Sequence, residues 1–179
     1  MPSFLLFTNF HSHLNLDGYL VQLSGEQFGS EVDLFAQVFC QLLEVLAEND
    51  PSGKNCLAEG INIDSPKWVF EFNHVTFFIT TFAPVYPPTH SRYTHEVNEC
   101  FVLFQPEISF ARHNLPPDTP KTNWDQPQTV RDRIRVQFRA SSRDYLIRDT
   151  VNYPMSHDII KPMRIDDPPI EWWKYRKNI

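Results

Sequence analysis

Three apolar segments in the middle of the chain most constrain what it can fold into. They are KWVFEFN (67–73), VTFFITTF (75–82) and ECFVLFQPE (99–107). All three are rich in β-branched and aromatic residues, which favour strands. A tight turn at Asn73 and His74 would join the first two into a β-hairpin. Pro106 has no N–H group to donate, so it is expected to end the pairing of the third strand.

A long amphipathic helix is predicted over residues 30–48, SEVDLFAQVFCQLLEVLAE. Its apolar residues recur at helical spacing and would form one buried face. They are Val32, Phe35, Phe39, Leu42, Leu43 and Leu46. Ser30 is a suitable N-cap residue, with Asp33 at the capping-box position.

The remaining elements complete an α+β pattern. SFLLF (3–7) predicts a buried strand, residues 8–27 give no firm assignment, and 128–146 predicts an arginine-rich helix. The order strand, helix, three strands, helix predicts an α+β fold with a mainly antiparallel sheet packed with helices. We expect one domain over residues 1–179.

Composition excludes several classes of protein. The net charge of −6 argues against nucleic-acid binding. The scarcity of glycine and the absence of a glycine-rich phosphate motif argue against a phosphate-cradling loop. The first residues lack a basic region, and their apolar run is too short for a signal peptide or membrane span. The odd number and wide spacing of Cys40, Cys56 and Cys100 do not suggest a disulfide framework or a CxxC zinc site. A cytoplasmic protein without membrane or nucleic-acid partners is expected.

Most histidines and cysteines have an ordinary structural explanation. His11 and His13 would share one face of a strand, but two ligands do not complete a metal site, so we expect both at the surface. His74 is expected in a turn and His113 in a loop. Cys40 and Cys100 fall on apolar faces and are expected in the core, whereas Cys56 lies in a loop.

The arginine-rich helix predicted over 128–146 has two interpretations. Its five arginines could bind an anionic group. We favour instead a solvated face on which the arginines pair with Asp132 and Asp144, leaving Val130, Ile134, Phe138 and Leu146 as the apolar positions.

The segment FAPVYPPTHSRYTH (82–95) is the strongest candidate site in the sequence. Its candidate ligands of a metal or heme iron are Tyr86, His90, Tyr93 and His95. Arg92 could pair with a carboxylate. Three prolines preset the backbone and would make the segment stiff, which suits a functional site and a structural loop alike.

Six motifs, in order, resemble those of the YqcI/YcgG family. They are FCQLLEVLAEND (39–50), DSPKWVFEF (64–72), FFITTFAPVYPPTHSR (77–92), FVLFQPEISF (101–110), RDRIRVQFRA (131–140) and IEWWKY (170–175). The resemblance covers nearly the whole chain. The chain is diverged and lacks the part that precedes the first strand in typical members, so we expect an N-terminally shortened member.

The resemblance implies a heme-dependent oxygenase. Characterised members N-hydroxylate arginine or related guanidine-bearing amino acids in small-molecule biosynthesis, using heme b, O₂ and an electron donor. Two alternatives remain. One is a non-catalytic protein of the same fold that binds heme or another small ligand. The other is different heme chemistry on a nitrogen-bearing substrate, such as oxime dehydration or nitrogen–nitrogen bond formation.

The resemblance also implies roles for individual residues, although it assigns no catalytic side chain. The axial ligand falls at His90 or at Tyr86, depending on how the loop motif is aligned. Arg92 would hold a heme propionate or a substrate carboxylate. Glu107 replaces the family's arginine after Gln-Pro. Either Glu107, with Gln105, would contact a cationic substrate group, or a contact to a heme propionate is lost.

Aromatic residues would line the apolar macrocycle. They are Trp68, Phe70, Phe72, Phe77 and Phe104. The shortened N-terminus would either leave the pocket open or be covered by the second subunit of a homodimer.

Overall fold

Four strands form one antiparallel sheet in the computed structural model, which describes residues 2–113, 122–143, 145, 154–164 and 166–176. The strands are Tyr19–Ser24 (β1), Phe70–Phe72 (β2), Val75–Phe82 (β3) and Glu99–Pro106 (β4). Their order in the sheet is β1-β4-β3-β2. With the helices packed against it, the sheet confirms the predicted α+β fold.

The β2–β3 hairpin has the predicted two-residue turn. Phe72 pairs with Val75, and Asn73 and His74 between them have φ of 51° and 62°. Two consecutive residues in the left-handed region are what a type I′ turn requires, and such turns match the twist of the flanking strands. The third predicted strand is β4, and it ends at Pro106 as expected.

The other regular elements of the described chain are helices. They are Pro2–Phe10 (α1), Gly25–Phe28 (α2), Val32–Glu48 (α3), Glu107–Arg112 (α4), Val130–Ala140 (α5) and Ser156–Ile159 (α6), followed by a 3₁₀ turn at Trp172–Tyr175. Within the described part of the chain, no helix has the length and apolar character needed to cross a membrane.

The long helix α3 confirms the strongest helical pattern in the sequence. Phe35, Phe39, Leu43 and Leu46 are buried at the predicted spacing. The expected N-cap is wrong, however. Glu31 occupies the N-cap position and makes no side-chain capping bond, so the helix begins one residue after the position that Ser30 would have capped.

The expected strand at residues 3–7 is wrong, because this segment belongs to α1. Phe4 and Phe7 lie on the same side of the helix, and the ring of Phe4 packs 5.0 Å from Phe72 and 5.4 Å from Phe77. A continuous five-residue apolar run has no periodicity that separates a strand from a helix. The strand at the edge of the sheet next to β4 is instead β1, which lies within residues 8–27, the region that the sequence left unassigned.

The arginine-rich helix is shorter than predicted, and some of its buried and exposed positions are the opposite of those expected. It ends at Ala140, while Asp144 and Leu146 lie outside the described residues. Arg135 and Asp132 are buried, whereas Val130 and Ile134 are among the exposed apolar residues. Asp132 completes a capping box with Thr129. The prediction of a fully solvated arginine face is therefore wrong for Arg135.

Candidate functional site

Backbone hydrogen bonds within the loop 82–95 hold it closed before the chain returns to the sheet. Ala83 N–H donates to Arg92 O at 3.1 Å, His90 N–H to Pro87 O at 2.8 Å, and Tyr93 N–H to His90 O at 3.1 Å. These short-range bonds and the three prolines both restrict the backbone of the loop. They also turn Tyr86, His90 and Arg92 towards the protein interior, where all three are buried.

Tyr86 is fully buried and acts as a hydrogen-bond donor. Its hydroxyl donates to Lys161 O at 2.7 Å. Burial raises the pKa of the phenol above its ordinary value, because a phenolate at this position would lose its hydration. The side chain is therefore held in the neutral, protonated form.

His90 has both ring nitrogens engaged. Nδ1 accepts the backbone N–H of Arg92 at 3.0 Å, so the ring proton of the neutral imidazole lies on Nε2. Nε2 then donates to Pro162 O at 3.2 Å. The imidazole also stacks on Tyr86, with ring centroids 4.3 Å apart and an interplanar angle of 7°.

Arg92 donates its guanidinium protons to main-chain carbonyls. Nη1 donates to Thr81 O at 3.3 Å and Nη2 to Asp158 O at 3.0 Å. The guanidinium carbon lies 5.7 Å from the ring centroid of Phe82, within cation–π range. Arg92 thus connects the end of β3 to the C-terminal part of the chain.

These contacts define a buried junction between the loop and the segment 158–162, which we call the loop–tail junction. Its loop side consists of Thr81, Tyr86, His90 and Arg92. Thr81 Oγ1 donates to Ile159 O at 2.5 Å, and Lys161 forms an ion pair with Asp158 at 2.7 Å. Sequence reasoning missed Asp158 and Lys161, because the acceptors they present to the loop are main-chain carbonyls common to every residue.

In the arrangement that the structure shows, neither Tyr86 nor His90 is in a state that could coordinate a heme iron. An iron ligand needs a free lone pair, but the lone pair on His90 Nδ1 accepts a hydrogen bond, and Nε2 is protonated. Tyr86 would have to lose a proton that burial retains. The two rings are in stacking contact, so a macrocycle cannot lie between them. Heme binding by this chain stays a prediction.

The aromatic residues expected to line a macrocycle form the protein core. Phe70, Phe77 and Phe104 are fully buried, with pairwise centroid distances of 5.9 to 6.4 Å. Trp68 donates its indole N–H to Cys56 O at 3.0 Å and lies 5.8 Å from Trp172. These rings fill the space between sheet and helices by packing on one another.

The two residues predicted to contact substrate lie elsewhere. Gln105 is opposite Phe78 in the β3–β4 register, and Glu107 accepts the hydroxyl of Thr76 at 2.9 Å. The loop leaves the sheet at Phe82, six residues further along β3 than Thr76. At about 3.3 Å per strand residue, roughly 20 Å separates Thr76 from Phe82 along β3. Because β4 runs antiparallel to β3, the structure does not bring Glu107 to the loop.

The surroundings of Gln105 and Glu107 form a small surface corner. Its residues are Thr76, Phe78, Gln105, Glu107 and Phe110, and we call it the β3–β4 corner. Phe78 and Phe110 meet edge to face with centroids 5.6 Å apart. Glu107 is exposed, while the two rings and Gln105 are half-buried. The corner combines a carboxylate with aromatic surface.

The other histidines have separate structural environments. His11 lies in the turn after α1 rather than on a strand, and it is buried with Nδ1 3.0 Å from Thr8 O, so its expected surface position is wrong. His13 is exposed as predicted, and His74 lies in the β2–β3 turn as predicted. His113 lies 3.0 Å from Asp17. Within the described ranges, no group of three or more His, Cys, Asp or Glu residues is placed to hold a metal ion.

The three cysteines are free thiols. Cys40 and Cys100 are buried as predicted, and burial raises the pKa of each to about 12. Cys56 is half-buried and donates to Glu71 O at 3.5 Å; burial raises its pKa as well. Nucleophilic and metal-ligating cysteines require the thiolate, which these environments disfavour.

The fold and the candidate site define an α+β protein whose proline-rich loop is bonded to its C-terminal segment. The chain belongs to the YqcI/YcgG family, whose model matches residues 7–142. That match spans about three quarters of the chain and includes the whole sheet and the loop 82–95. The segment 158–162 lies beyond it. Comparison with curated proteins and with solved structures found no match.

Proposed function

We propose that this chain is a non-catalytic member of the YqcI/YcgG family that binds a small ligand carrying a guanidinium or ammonium group. The observation that supports the proposal is the engagement of both candidate iron ligands. Tyr86 and His90 donate to carbonyls of the tail and stack on each other. In this role the loop–tail junction holds the fold together and leaves ligand binding to another surface.

The β3–β4 corner is the proposed binding surface. The Glu107 carboxylate has four lone-pair sites, and the hydrogen bond from Thr76 uses one of them. A guanidinium could therefore form a charge-assisted bidentate pair with the carboxylate. The faces of Phe78 and Phe110 would attract the same cation through cation–π contact. Gln105 supplies a neutral amide beside them.

The heme-dependent N-oxygenase expected from the family resemblance is the second candidate. It is favoured by the family match across the loop that carries Tyr86, His90 and Arg92. For this activity the loop–tail junction would have to open and free a His90 nitrogen or the Tyr86 oxygen. The same requirement applies to the other heme reactions on nitrogen-bearing substrates. The two candidates therefore differ in whether the chain retains heme.

The first expected result is an absorption spectrum without a Soret band. The protein would be expressed with added heme precursor and desalted, and its spectrum compared with those of His90→Ala and Tyr86→Phe. A stoichiometric Soret band that survives desalting would overturn the proposal in favour of a heme protein. Loss of that band in one variant would identify the axial ligand, and its persistence in both would place the ligand elsewhere.

The second expected result concerns ligand charge. We expect arginine to bind more tightly than citrulline, in which a neutral urea replaces the guanidinium, because the urea cannot form a charge-assisted bidentate pair with Glu107. The α-ammonium is present in both ligands, so it does not contribute to the difference. Glu107→Gln should weaken arginine binding by at least about tenfold, equivalent to 1.4 kcal/mol. Isothermal titration calorimetry or NMR titration would measure both.

Glu171→Gln is a matched control, since Glu171 is also exposed but pairs with Lys174 in the C-terminal segment. We expect it to bind arginine like the wild type. Equal affinity in Glu107→Gln and the wild type, or no arginine binding, would reject the β3–β4 corner as the site.

A further inference from the structure

An apolar groove lies between α1 and β1. Its exposed side chains are Leu6, Phe10, Leu14, Leu16 and Leu20, and we call it the N-terminal groove. The fractions of these side chains exposed to solvent are 57%, 50%, 63%, 39% and 55%. The groove encloses about 380 Å³ and is open to solvent. Isolated exposed apolar side chains are common on protein surfaces, but four leucines and a phenylalanine around one groove form a contiguous apolar patch.

The groove adjoins an unprotected sheet edge. β1 is hydrogen-bonded only to β4 among the described strands, and its six residues include no charge and no proline. The opposite edge strand β2 is three residues long, and its Glu71 pairs with Lys54 at 2.8 Å. Charges and short length normally protect sheet edges from association. β1 has neither protection.

We propose that the N-terminal groove is the interface of a homodimer, in which the grooves of two copies cover each other. Two-fold symmetry places the same surface on both partners, so an apolar groove can meet itself without a charge mismatch. Among the residues that the structure describes, those lining the groove carry no charge. The chain carries a net charge of −6, so two copies repel each other over most other surfaces.

The size of the groove suits this assignment. At these exposed fractions, the five large side chains expose roughly 400–500 Å² of apolar surface to solvent. The largest apolar patch on a typical monomeric protein has a similar area and is often functional. One side of a standard interface buries about 800 Å². The groove would provide the apolar centre of such an interface, with the edge of β1 and its surroundings contributing the remainder.

The test is the mass of the intact chain in solution. Sedimentation velocity or light scattering over about 1–100 µM should give a dimer for the wild type. Leu14→Glu/Leu20→Glu should be monomeric over that range, because it places four carboxylates in the paired grooves. Leu6→Glu alone should weaken association at least tenfold. Ile61→Glu, at a comparably exposed apolar residue outside the groove, should remain dimeric.

The melting temperature, extrapolated to low protein concentration, checks that each variant is folded. If the double variant is unfolded, the folded Leu6→Glu variant decides the question. A monomeric wild type at 100 µM would overturn the proposal. So would a dimer that survives the groove substitutions in folded protein, since its interface would then lie elsewhere.

Discussion

Trp172→Ala is expected to lower the free energy of unfolding by about 3–5 kcal/mol. Trp172 is fully buried and packs edge-on against Phe39 at 5.0 Å, which joins the C-terminal 3₁₀ turn to α3. Its indole N–H donates to Ser156 O at 2.9 Å. Alanine would leave a large cavity and a buried carbonyl without its donor. Urea unfolding followed by circular dichroism measures the loss.

Trp173→Ala is the matched control, because the two neighbouring indoles differ in environment. Trp173 is half-buried and stacks on His157 at 5.7 Å, so its removal should cost about 1 kcal/mol. Equal losses in the two variants would mean that the C-terminal turn is not anchored to α3 through Trp172.

Arg92→Met is expected to cost about 3 kcal/mol of stability. Methionine keeps much of the apolar stem but removes the guanidinium that donates to Thr81 O and Asp158 O. Both carbonyls lie in the loop–tail junction, where water cannot readily replace the lost donors. The measurement is again the free energy of unfolding in urea.

Arg133→Met serves as the control, since Arg133 is exposed on α5 and its replacement should change stability by less than about 0.5 kcal/mol. The Arg92 result also bears on function. If Arg92→Met were as stable as the wild type, the junction would not depend on this guanidinium, and a ligand-binding role for Arg92 would regain support. We expect the variant to lose stability and to keep its affinity for arginine.

The sequence by itself determined the elements whose pattern is local and long enough to be unambiguous. The helical repeat of α3 extends over four turns. It correctly predicts that Phe35, Phe39, Leu43 and Leu46 are buried, whereas Val32 and Leu42 are only half-buried. The β2–β3 hairpin follows from two β-rich segments joined by a two-residue turn. The core positions of Cys40 and Cys100 follow from the same periodicities. The motifs in these elements also sufficed to indicate the family.

Tertiary structure decided the conformation of segments whose local pattern is ambiguous. SFLLF is helical because Phe4 packs into the ring cluster of the core. Arg135 is buried on α5 although its neighbours in sequence favour an exposed arginine face. For SFLLF, packing against distant rings outweighs local propensity, which contributes only tenths of a kilocalorie per residue.

The candidate site depended on tertiary structure even more strongly. Tyr86 and His90 bond to carbonyls 75 and 72 residues away in the sequence, and main-chain carbonyls leave no signature in residue identity. Antiparallel pairing of β3 with β4 separates Glu107 from the loop, although both lie in adjacent family motifs. The sequence identified residues whose side chains could coordinate a metal or contact a substrate. Only the fold decided which of them face one another, because those distances depend on strand register and on partners far along the chain.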